Sequence, residues 1–172
     1  MSTIRERELM AALKNPISRN VFQEILNSGV QVNQDHFNEA MQLISHQYVV
    51  KDFLNVENRG FTVQPEHLSM AIESGDYFLV GPLIDGGVAA NQQHLMEAIQ
   101  HQKIDRSFSP IAVQEILNSG VEVNQDHLKE AIKSGVPQVV KALLESCDSI
   151  ELAKNTDPCE IADLIKKEVI KK

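Results

Sequence analysis

QEILNSGVQVNQDH occupies positions 23–36, and QEILNSGVEVNQDH occupies positions 114–127. The two stretches share thirteen of fourteen positions, differing only at Gln31 against Glu122, and lie 91 residues apart. Chance does not preserve such a run. Either one large block was duplicated, or many small units were and two still resemble each other.

The residues that follow decide between these. Both stretches end on a His that opens the pattern His, apolar, two variable residues, Ala, aliphatic: HFNEAM from His36 and HLKEAI from His127. The same pattern recurs as HLSMAI from His67 and HLMEAI from His94. The steps between these histidines are 31, 27 and 33 residues, which together make the 91. A recurring period of this size is the signature of a stacked repeat architecture, not of one large duplication.

Each unit has one grammar. Apolar residues at i, i+3 and i+4, such as Leu128, Ala131 and Ile132, mark one face of a helix. A break follows at Ser74-Gly75 or Ser134-Gly135, then a second periodic segment such as Val139 to Cys147 or Ala112 to Gly120. Gly29, Gly60, Gly87 and Gly120 are expected to close those second helices, because glycine adopts positive φ at a helix C-terminus. Short connectors (VQVN, VAAN, VEVN) lead to the next His. The acid before it (Asp35, Glu66 or Asp126) is expected to accept orphan N–H groups of the new helix or to favour its dipole. Pro82 falls inside a second helix and predicts a kink or a late start. Extra residues at Asn55 to Arg59 and at His101 to Pro110 lengthen two connections.

Leu128 to Ser146 (LKEAIKSGVPQVVKALLES) and Gly120 to Asn124 (GVEVN) resemble the helix pair and the GAxVN connector of ankyrin repeats. The units depart from that family: one is only 27 residues long, Asp126-His127 stands where the family has Thr-Pro, and Lys129 stands where it has His. The resemblance implies an all-α, ankyrin-like α-solenoid of about five shortened helix-turn-helix repeats, near 6–35, 36–66, 67–93, 94–126 and 127–148. A C-terminal capping helix at 149–172 completes a single domain. Asp157-Pro158 reads as its start, and Ile161, Leu164, Ile165 and Ile170 as its apolar side.

Composition narrows the function. The 172 residues carry 42% apolar and 23% charged residues, 5% aromatics, no Trp and a net charge of -8. From Asn20 to Asp126 there are 14 acids against 4 bases, a field that attracts a basic partner and repels a polyanion. The one dense basic cluster is Lys166, Lys167, Lys171 and Lys172, so a nucleic-acid partner is not expected. No apolar run approaches the roughly 20 residues of a membrane span. The start, MSTIRERELMAALKN, lacks the apolar core of a secretory signal. The expected setting is cytoplasmic and monomeric, the alternative being secretion into a host cell without a classical signal peptide. Cys147 and Cys159 are expected to be reduced and buried.

Catalytic grammar is absent from the sequence. Equivalent residues on neighbouring helices stand about 8–10 Å apart, whereas two zinc ligands lie about 3–4 Å from each other. Successive repeat histidines therefore cannot share an ion, and packing and capping of each helix start is the expected task of His36, His67, His94 and His127. His46 and His101 are isolated and expected to be exposed. There is no GxSxG elbow, P-loop or GxGxxG. No cofactor or metal is expected.

What remains is surface. The resemblance implies that the two variable positions after each Ala-aliphatic pair lie exposed on a concave face: Gln42 and Leu43, Glu73 and Ser74, Gln100 and His101, Lys133 and Ser134. The function expected is a non-catalytic protein–protein interaction scaffold that takes a basic protein partner there. Two alternatives stand beside it. One is a bacterial effector acting on a host protein. The other is an enzyme with a site near 100–110 that uses His101 as acid or base.

Overall fold

In each His-led segment the His, the residue after it, the Ala and the aliphatic recur on one side of a 3.6-residue period, and each segment forms a helix with that side turned inward. The computed structural model describes residues 4–14, 19–42, 47–56, 59–101 and 109–146. Among them are ten α-helices: α1 (Ile4–Lys14), α2 (Arg19–Asn27), α3 (Gln34–Gln42), α4 (Gln47–Leu54), α5 (Pro65–Glu73), α6 (Val80–Asp85), α7 (Gln92–His101), α8 (Ser109–Asn118), α9 (Gln125–Ser134) and α10 (Pro137–Ser146). The protein is all-helical over these residues. Its only strand-like pairing there is an isolated parallel bridge between Asn33 and Gly60. The proposed capping segment 149–172, Cys147, Cys159 and most of the 102–110 insertion lie outside the described residues.

The helices pair in sequence order, and each layer then builds on itself. α1 packs on α3, α3 on α5, α5 on α7 and α7 on α9; α2 packs on α4, α4 on α6, α6 on α8 and α8 on α10. The substantial contacts among described residues are all between such neighbours. One apolar cluster runs from Leu9 to Leu143. Each fully buried Leu, Ile or Phe within it contributes about 1.5–3 kcal/mol. The largest side chains cluster around Phe37, which stacks on Phe61 (centroids 4.3 Å apart, 11° between planes) and meets the edge of His67 at 5.0 Å. Phe53 joins from α4, 6.5 Å from Phe37 and 5.3 Å from Phe22.

Helix starts are built by a reciprocal cap. Asn124 is extended (φ -118°, ψ 175°), and its side-chain oxygen accepts the N–H groups of Asp126 and His127, each at 3.0 Å. His127 Nδ1 in turn accepts the Asn124 N–H at 3.1 Å. This is a capping box with imidazole in the place usually held by Glu or Gln. Asn33 with His36 and Asn91 with His94 repeat it: in both pairs the side-chain bond is 3.1 Å and the ring bond 3.2 Å. At α5 the His67 ring accepts the Gln64 N–H at 2.8 Å. At α3, α7 and α9 the orphan N–H groups therefore go to Asn, and at α5 the His67 N–H goes to the Gln64 carbonyl, not to the acids expected to take them. The acids Asp35, Glu66 and Asp126 stand exposed in the first turn, where the helix dipole favours them.

Three of the rings also bridge pairs. Because a main-chain N–H points at Nδ1, the network assigns the proton to Nε2. From there His36 donates to the Glu6 carbonyl of α1 (3.1 Å), His67 to the Asn38 side-chain oxygen of α3 (3.0 Å) and His127 to the Gln92 carbonyl of α7 (3.0 Å). The expected packing and capping role of these histidines matches their positions: all four are buried.

Gly29, Gly87 and Gly120 close their helices with φ of 79°, 112° and 89°. Gly60 does not, contrary to expectation. It lies where the chain passes close to the previous connector, donating its N–H to the Val32 carbonyl at 2.9 Å. Pro82 produces the late start: a 3-10 turn at Tyr77–Leu79 precedes α6, and Pro82 is the third residue of that helix. The N–H that proline lacks would have had no intrahelical partner there. Arg59, from the Asn55 to Arg59 insertion, donates to the Leu54 and Gly86 carbonyls (3.3 and 2.6 Å) over the Phe61 ring, tying the ends of α4 and α6 together.

Candidate functional site

Burying His36, Phe37, Ala40 and Met41 leaves Asp35, Asn38, Glu39 and Gln42 on the outward side of α3. The same arithmetic puts Glu66, Ser69, Met70 and Glu73 outward on α5, Gln93, Met96, Glu97 and Gln100 on α7, and Asp126, Lys129, Glu130 and Lys133 on α9. The strips adjoin. His67 of α5 reaches Asn38 of α3, and Ser69 of α5 donates to Glu97 of α7 at 2.8 Å. Seven carboxylates lie on this surface against two lysines, and both lysines are near carboxylates of their own helix: Lys129 with Asp126 (3.8 Å) and Lys133 with Glu130 (3.4 Å). α3, α5 and α7 carry five carboxylates and no Lys or Arg. Amid them stands Met70, an apolar side chain left 36% exposed.

Of the positions expected to be exposed, Gln42, Glu73, Ser74, Gln100 and Lys133 are so. Leu43 lies outside the described residues. Two expectations are corrected. Ser134 is buried, and its hydroxyl donates to the Ala131 carbonyl at 2.6 Å. Ser134 falls at i+7 from His127 and i+3 from Ala131, on the inward side of α9. His101 is neither isolated nor fully exposed. It is half-buried, and its Nδ1 lies 2.9 Å from the hydroxyl of the buried Tyr77. His46 lies outside the described residues.

Sequence reasoning missed Met70 and the row of Glu39, Glu97 and Glu130. The signal was present: the residue before the Ala is Glu in three units and Met in the fourth.

Two open clefts lie along the second helices. One, of about 620 Å³, is lined by residues including Lys51, Leu54, Arg59, Pro82 and Asp85; the other, of about 530 Å³, by residues including Gln23, Asn27, Asp52 and Asn55. Arg19 holds Asp52 at the second (2.9 Å). Among the described residues no three His, Cys, Asp or Glu side chains are grouped to hold a metal ion. No described helix is long and apolar enough to cross a membrane.

Asp76 stands apart from the outward face. It is 5% exposed, and its Oδ1 has no hydrogen-bond partner. Burial pushes its carboxyl up to about 6, with Lys51 pulling the other way. A carboxyl raised in the folded state supports folding fully below its unfolded value near 4, and that support is lost as pH rises through about 6. The ionised group is therefore a cost at neutral pH. Asp76→Asn is expected to raise stability by about 1 kcal/mol at pH 7.5, after allowance for solvent screening, and to change it little at pH 4. Urea denaturation at the two pH values checks this.

Compared with protein-family models, with curated proteins and with solved structures, the chain matches none.

Proposed function

We propose that the chain is an ankyrin-like α-solenoid that works as a non-catalytic binding scaffold, taking a basic segment of a protein partner across the outward sides of α3, α5, α7 and α9. One observation carries the reading: five carboxylates with no Lys or Arg on three adjoining helices, surrounding an exposed Met70. The like charges repel one another and are relieved by a cationic partner. Met70 offers that partner a flexible apolar contact. The inward residues are spent on packing, and the outward ones, the recurring Glu39, Glu97 and Glu130 apart, vary from unit to unit, which divides stability from recognition.

The test is capture of partners from extracts of the source cell, followed by affinity measurement with the captured protein. Affinity is expected to fall about tenfold or more as salt rises from low to several hundred millimolar. The double variant Glu39→Lys, Glu73→Lys is expected to lose about a hundredfold or more. Both positions are partly or fully exposed, so the fold should tolerate them. An affinity that ignores salt and charge reversal would overturn the reading, as would failure to capture any partner.

A further inference from the structure

The repeat histidines do more than fill space, because their hydrogen bonds need one particular protonation state. At His36, His67, His94 and His127 the Nδ1 atom accepts a main-chain N–H, at 2.8 to 3.2 Å. At His36, His67 and His127 the Nε2 atom also serves a helix of the preceding pair. An imidazolium carries protons on both nitrogens and has no acceptor. Protonation would turn each Nδ1 toward another donor, break the cap and leave a charge on a ring at most 6% exposed.

We propose that the four histidines are proton-operated caps, three of which (His36, His67 and His127) also clasp successive helix pairs, closed when the rings are neutral and released together when acid charges them.

The surroundings bear on this. The buried residues of α4, α6 and α10, which pack against α3, α5 and α9, are all apolar, as are those of α8 against α7. The second helices therefore bring no buried counter-charge to the rings. On the rings' own helices Asp35, Glu66 and Asp126 stand next to His36, His67 and His127, exposed to solvent. The preceding helices add Glu6 with Arg5 and Arg7 on α1, Asp35 and Glu39 on α3, Glu66 and Glu73 on α5, and Glu97 on α7. At His67 burial lowers the imidazole below its usual value, outweighing Glu66, which acts in the opposite sense. A group lowered in the folded state supports folding above its unfolded value near 6.5, and that support is lost as pH falls. Asp76, beside α5, titrates in the same range with the opposite sign, so it must be removed before the clasp is measured.

Two measurements on the full chain test the clasp. Nitrogen-15 NMR of the imidazoles at pH 7.5 is expected to find the four repeat rings neutral, with the proton on Nε2. Urea denaturation of the Asp76→Asn chain is expected to show the unfolding constant rising more than about tenfold per pH unit below pH 6.5, the mark of more than one proton taken up on opening. In the same background, His36→Gln, His67→Gln, His94→Gln and His127→Gln together keep an acceptor and a donor at each cap without a titrating group. That chain is expected to lose most of the slope. The proposal is overturned by rings protonated on Nδ1, by a slope below tenfold, or by a slope that survives the glutamines. Should the glutamine chain not fold, the ring spectra and the slope of the parent decide.

Discussion

Phe37→Ala is expected to cost about 4 kcal/mol, lowering the melting temperature by about 10 °C. Phe37 is fully buried on α3 and stands where two helix layers and a connector meet. Its ring stacks on Phe61 from the connector, faces Phe53 from α4 and meets His67 from α5. Truncation removes apolar area, leaves a cavity bounded by three other aromatic groups, and ends the only stacked ring pair among those described here. Residues so enclosed relax little, which places the loss in the upper part of the range for a large-to-small core change. Phe78→Ala is the control. That ring is 46% exposed, and its loss should cost well under half as much. Equal losses for the two variants, measured by urea denaturation, would contradict the packing described for α3.

Gly60→Ala is expected to cost about 2 kcal/mol, an unusual amount for one methyl group on a surface connector. A Cβ at Gly60 would stand 2.8 Å from the Val32 carbonyl oxygen, closer than real Cβ atoms come, and the obstacle is backbone. The chain must move apart, weakening the 2.9 Å bond from the Gly60 N–H to the same oxygen and with it the bridge to Asn33. Gly120→Ala meets nothing within 4 Å and is strained only by its φ of 89°. It should cost about 1 kcal/mol. Thermal denaturation of the two variants side by side separates close approach from backbone preference.

These two sites also mark what the sequence could and could not reveal. Helix periodicity made the paired helices readable, because Leu128, Ala131 and Ile132 and their counterparts follow a 3.6-residue rule that needs no partner to be recognised. The late start at Pro82 was readable for the same local reason. Gly60 looked like the other helix-closing glycines because its role depends on Val32, 28 residues away. The caps were half legible. The recurring His was found, but the recurring Asn three residues before it was read as connector, although it holds the N–H groups assigned to the acids. At the candidate site, exposure of Gln42, Glu73, Gln100 and Lys133 followed from the pattern. Ser134 defied it: it is buried, with its hydroxyl turned back onto the Ala131 carbonyl. His101 defied it because Tyr77, from the preceding unit, comes to meet it.

The bonds from His36, His67 and His127 all reach backward along the chain, to acceptors 30, 29 and 35 residues earlier. On a ribosome this direction matters. Every such acceptor has been made before the ring that needs it, so each newly emerged helix can dock on a surface already in place. A polypeptide wired this way is expected to be able to assemble from its beginning toward its end at the pace of translation, about 5–20 residues per second. Removing its last units should leave the earlier ones better formed than removing its first units leaves the later ones.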